Sequence, residues 1–125
     1  MALRMTTRSF ADTTIVECSG RIVLGDESAN FRYLVKDLLT KCKQVVLDLG
    51  GVTYIDSIGL GVLVGLLTSA QKAGGRIKLA NLKPRLIDVL GVTKLMTLFE
   101  TFDRAEDAAN SFNPAAVVAG TGTRQ

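Results

Sequence analysis

Apolar and polar positions follow two different periods along this chain. Stretches that are rich in β-branched and aliphatic residues, or that alternate between apolar and polar residues, are predicted to be strands. Residues 45–49 are mostly apolar, which indicates a central strand covered on both faces. The segments with strand character are residues 14–18, 22–24, 45–49, 76–82 and 95–102.

Between the strands, apolar residues recur at positions i, i+3, i+4 and i+7, which is the spacing of an amphipathic helix. Either Asp26 or Ser28 is expected to cap the first helix, and Gly74-Gly75 is a strong signal for the end of the second. Pro84 suits the first turn of a third helix. The predicted helices are residues 26–41, 58–73, 85–90 and 105–112.

Glycines and chain ends set the limits of these elements. Gly50-Gly51 is expected to turn the chain after the central strand. Residues 1–8 are expected to be loose, and residues 113–125 have the composition of a disordered tail. Strands that alternate with helices predict an α/β domain, with one layer of sheet and helices packed against it.

The second predicted helix has an apolar face on each side of its first two turns. One face is expected to lie on the sheet, and it comprises Leu60, Leu63, Val64, Leu67 and Ala70. The opposite face comprises Ile58, Val62, Gly65, Ser69 and Lys72. Either another part of the domain covers this second face, or scattered apolar residues are simply exposed there. The alternative is a docking surface for a partner protein with Ser57 at its edge, where Gly61 and Gly65 allow close approach.

Composition and charge narrow the classes of function. The chain has 125 residues, of which 47% are hydrophobic and 22% charged, so one domain with a proper core is expected. The net charge is +3, but the basic residues are scattered and aromatic residues make up only 6%, which argues against nucleic-acid binding. The longest apolar run, residues 58–67, is too short for a membrane span, and the N-terminal residues lack the pattern of a signal peptide, so secretion is not expected. A cytoplasmic protein without membrane insertion is expected.

The chain contains no histidine, which excludes the Ser-His-Asp and Cys-His nucleophile systems and removes the commonest metal ligand. Ser57 beside Asp56 is therefore not part of a catalytic triad, and the protein is not expected to be an enzyme. Cys18 and Cys42 lack metal-ligand spacing and are expected to act as small apolar residues in a reduced cytosol. No metal site and no cofactor are predicted.

Two simpler interpretations of the segment around Ser57 remain. Gly59, Gly61 and Gly65 resemble a dinucleotide fingerprint, but the third glycine is displaced by one position and no carboxylate ends the next strand. The G-K-[ST] sequence of a phosphate-binding loop is absent. Ser57 could also be a plain helix N-cap, which is a common role for serine.

The segment 47–67, which reads LDLGGVTYIDSIGLGVLVGLL, closely resembles the STAS family. The Asp-Ser-x-Gly-Leu-Gly hexad at residues 56–61 is the most specific part of the resemblance. Gly20-Arg21-Ile22, residues 74–79 and residues 89–92 match further landmarks, so the resemblance covers residues 5–112. It implies a single STAS-like domain with a mixed sheet of about four to five strands and helices packed mainly on one face.

The resemblance also implies a function, that of an anti-sigma factor antagonist. In that family, a partner that is both anti-sigma factor and serine kinase phosphorylates the serine after the aspartate, here Ser57, and only the unphosphorylated form binds the partner. Ile58 stands where relatives often carry a second serine, which leaves Ser57 as the one candidate at this point. The partner-binding residues implied are Asp26, Asp56, Ser57, Ile58, Gly59, Gly61 and Val62.

The kinase implied by the resemblance is an ATPase of the histidine-kinase-like type, so ATP would belong to the partner. The alternative is a STAS regulatory or scaffold domain of a lipid-transport or transporter-associated system, without a phosphoswitch. A third hypothesis, a small nucleotide-binding or catalytic domain, is the weakest because of the glycine spacing and the missing histidine. Whether the chain forms a homodimer stays open at this point.

Overall fold

Five strands lie side by side in sequence order in the computed structural model, which describes residues 3–112. The strands are β1 (Arg4–Phe10), β2 (Thr13–Ile22), β3 (Gln44–Ile55), β4 (Arg76–Ala80) and β5 (Thr101–Phe102). β1 is antiparallel to β2, and the other neighbouring strands are parallel, so the sheet is mixed. The parallel connections run through helices, as they must to return the chain to the same end of the sheet.

The helices of the described chain are α1 (Asp26–Lys41), α2 (Ser57–Lys72), α3 (Pro84–Val92) and α4 (Ala105–Ser111), with a short 3₁₀ helix at Leu95–Leu98. α1, α2 and α3 pack on one face of the sheet, and α4 packs on the opposite face. This arrangement confirms the predicted α/β class and the position of the helices mainly on one face.

The central strand β3 is covered on both sides. Val45, Leu47 and Leu49 are fully buried under α1, α2 and α3, while Val46 points to the other side and packs under α4. The smaller cluster is completed by Ile15 and Ala80 of the sheet and by Ala105, Ala108 and Ala109 of α4. The apolar run at residues 45–49 was therefore correctly interpreted as a strand with two buried faces.

Two predictions about the sheet were wrong. Residues 4–8, which fall within the segment 1–8 that was expected to be loose, belong to β1, and β1 pairs with β2 from Arg4 opposite Ser19 to Phe10 opposite Thr13. Gly50-Gly51 does not turn the chain, because β3 continues to Ile55 with irregular register against β2. A Cβ atom at Gly51 would lie 2.5 Å from Cβ of Ser19, so glycine is needed here for close strand contact.

Two helix and strand boundaries also differ from the prediction. Gly25, with φ of 131°, occupies the N-cap position of α1, whereas Asp26 is the first helical residue. The Ser28 hydroxyl donates back to the Gly25 carbonyl at 3.1 Å and does not cap the helix. The strand expected within residues 95–102 is mostly a 3₁₀ helix, and only Thr101–Phe102 join the sheet. The predicted tail, residues 113–125, lies outside the described residues.

Candidate functional site

Ser57 lies at the junction between the end of β3 and the start of α2. It is the first residue of α2, and its side chain is exposed to solvent. Asp56, not Ser57, is the N-cap, because the Asp56 carboxylate accepts a hydrogen bond from the Gly59 N–H. The interpretation of Ser57 as a plain N-cap is therefore wrong. Within residues 3–112 the Ser57 hydroxyl takes part in no hydrogen bond, which leaves it available to another molecule.

The Asp56 carboxylate connects two loops. Its Oδ1 accepts from the Gly59 N–H at 2.8 Å, and its Oδ2 accepts from the Leu24 N–H at 2.9 Å. The Asp56 N–H also donates to the Ile22 carbonyl at 3.2 Å. The backbone N–H groups of Gly59 and Leu24 stabilise the charged form and hold the pKa of Asp56 below its usual value. The loop before α1 is thereby fixed beside Ser57.

Gly59 sets how closely α2 approaches the sheet. It is buried, and a Cβ atom at this position would collide with the Ile22 carbonyl oxygen and with side-chain atoms of Ile55 and Ile22. The first turn of α2 therefore rests directly on the end of β2. Gly59 lies between α2 and the sheet, where it fixes the position of Ser57, and it presents no surface to a partner.

The surface around Ser57 contains large apolar side chains that are exposed. Leu24 is 71% exposed and Ile58 is 46% exposed. Ile58 follows Ser57 in the chain, and Leu24 lies beside the Asp56–Ser57 junction because its N–H binds the Asp56 carboxylate. Asp26 follows at the exposed start of α1. We call Leu24, Asp26, Ser57, Ile58 and Gly61 the Ser57 surface. Gly61 is exposed, and a Cβ atom there would meet nothing within 4 Å.

The two faces of α2 agree with the sequence prediction only in part. Leu60, Leu63 and Ala70 are buried as predicted, but Val64 and Leu67 are half-buried, and Leu66, which was not predicted, is in the core. On the other side, Ile58, Gly65 and Lys72 are exposed, whereas Val62 and Ser69 are half-buried. Val62 packs partly against the main core and lies at the border of the outward face.

Leu24 is the residue of this surface that the sequence did not single out. An aliphatic residue in a loop before a helix has no local signal that distinguishes it from a core residue. Its proximity to Ser57 depends on a hydrogen bond to a residue 32 positions away. Only the parallel pairing of β2 with β3 brings these two segments together.

Other features of the described residues provide no catalytic arrangement. A cavity of about 50 Å³ between the end of β3 and α3 is lined mainly by apolar groups, among them Val52, Ile55, Leu86 and Val89. An open groove on the opposite side of the sheet is lined by polar residues such as Arg4, Glu17, Asp48 and Asn81. Within residues 3–112, no three potential metal ligands cluster, and no helix is long and apolar enough to span a membrane.

Comparison with known proteins identifies similar sequences along most of the chain. The model of the STAS domain matches residues 4–108. The anti-sigma-B factor antagonist of Bacillus subtilis (strain 168) is 33% identical over 85 residues, which are 68% of this chain and 65% of the relative. This chain therefore spans slightly less than two thirds of that relative.

Two further proteins cover more of their own length. A Bordetella bronchiseptica protein, provisionally named an anti-sigma factor antagonist, is 30% identical over 108 residues, which are 83% of this chain and 90% of the relative. The crystal structure of a Thermotoga maritima protein with the same provisional name superimposes with a TM-score of 0.78 at 26% identity. That superposition covers 86% of this chain and 92% of the other.

Proposed function

The chain belongs to the STAS domain family, and on that premise we propose that it is an anti-sigma factor antagonist controlled by phosphorylation of Ser57. Its partner is an anti-sigma factor with serine kinase activity, which binds ATP and carries the catalytic groups. The unphosphorylated form binds this partner in the cytoplasm, and the sigma factor is thereby released from the partner. The observation that carries the proposal is an exposed Ser57 hydroxyl, unused in capping, at the first position of α2.

The position of Ser57 suits a phosphate acceptor. The chain has no histidine to activate the hydroxyl as a nucleophile, so Ser57 is better placed to receive a group than to attack one. A phosphate adds about −1.5 to −2 charges at pH 7, and a helix N-terminus favours anions through its N–H groups and dipole. The modified protein can therefore stay folded, although the Asp56 carboxylate next to it opposes the added charge.

The apolar surroundings of Ser57 explain how phosphorylation would prevent binding. Leu24 and Ile58 are exposed beside the junction, and a partner that covers them removes water from Ser57 as well. An unpaired phosphate buried in such a contact costs several kcal/mol, and a micromolar interaction is worth only ~8 kcal/mol. Phosphorylation would thus weaken binding greatly without a change of fold.

The Ser57 surface defines where the partner is expected to contact this chain. Gly61 allows a partner to approach the backbone of α2 closely, and Asp26 places a negative charge at the rim. Val62, which is half-buried, contributes at the edge, and Asp56 and Gly59 hold the surface in position. Of the partner-binding residues that the family resemblance implies, this geometry supports direct contact by Asp26, Ser57, Ile58, Gly61 and Val62, and a positioning role for Asp56 and Gly59.

The test is calorimetry with the serine kinases of the histidine-kinase-like ATPase type that the same genome encodes. We expect one of them to bind the unmodified protein and Ser57→Ala, and to bind Ser57→Asp and the phosphorylated protein at least about tenfold more weakly. Thr68→Asp is the matched control, because it adds the same charge to the exposed side of α2 roughly 16 Å further along the helix. Mass spectrometry is expected to locate the transferred phosphate on Ser57.

Equal affinity of the kinase for unmodified protein, Ser57→Asp and phosphorylated protein would contradict the phosphoswitch. If no such kinase binds any form, the proposal of an anti-sigma factor antagonist fails. The STAS regulatory or scaffold domain of a transport system would then be the better explanation.

A further inference from the structure

We infer that Asp56 couples the phosphorylation state of Ser57 to the loop between β2 and α1, and so controls the position of Leu24. The inference rests on the proposed function, because it describes how a phosphate at Ser57 would alter the Ser57 surface. Asp56 is then a positioning residue that acts through Leu24. Phosphorylation would change the shape of the apolar surface in addition to its charge.

The first observation is that the Asp56 carboxylate holds the loop. Residues 23–25 link β2 to α1, and the Leu24 N–H donates to Asp56 Oδ2 at 2.9 Å. Among the described residues, this N–H makes no other hydrogen bond. The Leu24 side chain is 71% exposed, so packing adds little to hold the loop. The position of Leu24 therefore depends on the Asp56 carboxylate.

The second observation is that the same carboxylate occupies the N–H groups that a phosphate on Ser57 would seek. Asp56 Oδ1 accepts from the Gly59 N–H at 2.8 Å, in the first turn of α2. Ser57 is the first residue of that turn, and three phosphate oxygens there compete for the same N–H groups. Asp56 carries its own negative charge, since its pKa is lowered by the hydrogen bonds from Gly59 and Leu24. Competition and repulsion both drive the carboxylate away.

The consequence for Leu24 follows from the shared carboxylate. If Asp56 moves, the Leu24 N–H loses its acceptor and the loop is released. The rest of the junction stays in place, because the Asp56 N–H bond to the Ile22 carbonyl and the close seating of Gly59 do not involve the carboxylate. The change would be confined to the loop and to the exposed Leu24 side chain.

The experiment measures the Leu24 amide by NMR in the whole protein. Phosphoserine is installed at position 57 during translation, so that no kinase is needed. We expect the rate at which the Leu24 amide hydrogen exchanges with water to rise roughly tenfold or more in the phosphoserine protein. The chemical shifts of the Leu24 methyl groups should change as well. Ser57→Ala should leave both readouts unchanged.

Two variants at Asp56 test the role of the carboxylate. Asp56→Asn keeps one oxygen for the Gly59 N–H and replaces the other with an amide group that cannot accept from Leu24. Asp56→Ser keeps a cap for Gly59 but is too short to serve both N–H groups. Both are expected to raise exchange at Leu24 as phosphorylation does, with the Gly59 amide still protected. Asp26→Asn is the control, since it removes a nearby charge without touching the Leu24 bond.

Unchanged exchange and methyl shifts of Leu24 in the phosphoserine protein would overturn the inference, even if phosphorylation blocks the partner. In that case the proposed function stands and the phosphate acts by charge alone. If instead the Leu24 signals respond but the kinase binds both forms equally, the coupling exists and the proposed phosphoswitch fails. The two readouts therefore separate the inference from the proposed function.

Discussion

A methyl group added to Gly59 would collide with the carbonyl oxygen of Ile22. The first turn of α2 rests on the backbone at the end of β2, and Ser57 is held two residues before the point of contact. The position of Ser57 is thus determined by strand β2 as much as by the strand that precedes it. The same contact brings the loop that follows Ile22 to the Asp56 carboxylate.

Gly59→Ala is expected to destabilise the domain by ~1–3 kcal/mol, because the added methyl group must displace α2 from β2. Gly61→Ala is the matched control on the same helix, where a Cβ atom meets nothing within 4 Å. It should stabilise the domain by ~0.5–1 kcal/mol, since alanine is the better helix former. Urea denaturation of both variants measures the difference. Equal stability of the two variants would contradict the close packing of α2 against the end of β2.

Asp56 is expected to make stability depend on pH in the acid range. Its folded pKa is lowered by the N–H groups of Gly59 and Leu24, below the value of about 3.9 in an unfolded chain. The charged form thus stabilises the fold above that pH, and this contribution is lost as the pH falls through the folded pKa. The stability difference between wild type and Asp56→Asn should shrink on acidification. Urea denaturation curves of the two proteins at a series of pH values measure this trend, and a stability difference that stays constant with pH would contradict it.

Ile58→Lys should weaken the partner complex by about tenfold or more with little loss of stability, because Ile58 is half-exposed and carries the outward apolar face. Val62→Lys should weaken it as well, but with a loss of about 1 kcal/mol in folding stability, since Val62 packs partly against the core. Calorimetry and thermal denaturation on the same samples measure the two effects. Full affinity of Ile58→Lys would place the partner elsewhere on the domain.

The two thiols should differ in reactivity. Burial raises the pKa of Cys18 to about 12, so its reactive thiolate is scarce at neutral pH. Cys42 is only half-buried at the end of α1. Iodoacetamide at pH 8 is expected to label Cys42 first and Cys18 only after unfolding, as mass spectrometry of the peptides would reveal. Rapid labelling of Cys18 in the folded protein would contradict its burial.

Much of the fold could be predicted because its signals are local. The helical spacing around Leu60 and Leu63, the apolar run 45–49 and the alternation in β4 each arise within one element. Leu66 was wrongly left out of the buried face of α2, because both sides of this helix carry aliphatic residues and periodicity alone cannot tell which of them are buried. β1 was missed because its alternation is weak and its residues are mostly polar. Its stability as a strand comes from pairing with β2.

By itself, the sequence determined the α/β class, the helix after β3 and the identity of the hydroxyl in the Asp-Ser-x-Gly-Leu-Gly hexad, since these depend on neighbours in the chain. Only the tertiary structure decided that the Asp56 carboxylate also binds the Leu24 N–H, that β3 runs through Gly50-Gly51 and that the loop with Leu24 lies beside the Asp56–Ser57 junction. The physical reason is the same in each case. These features depend on hydrogen bonds and close contacts between segments that parallel pairing of β2 and β3 brings together, and no local pattern encodes that pairing.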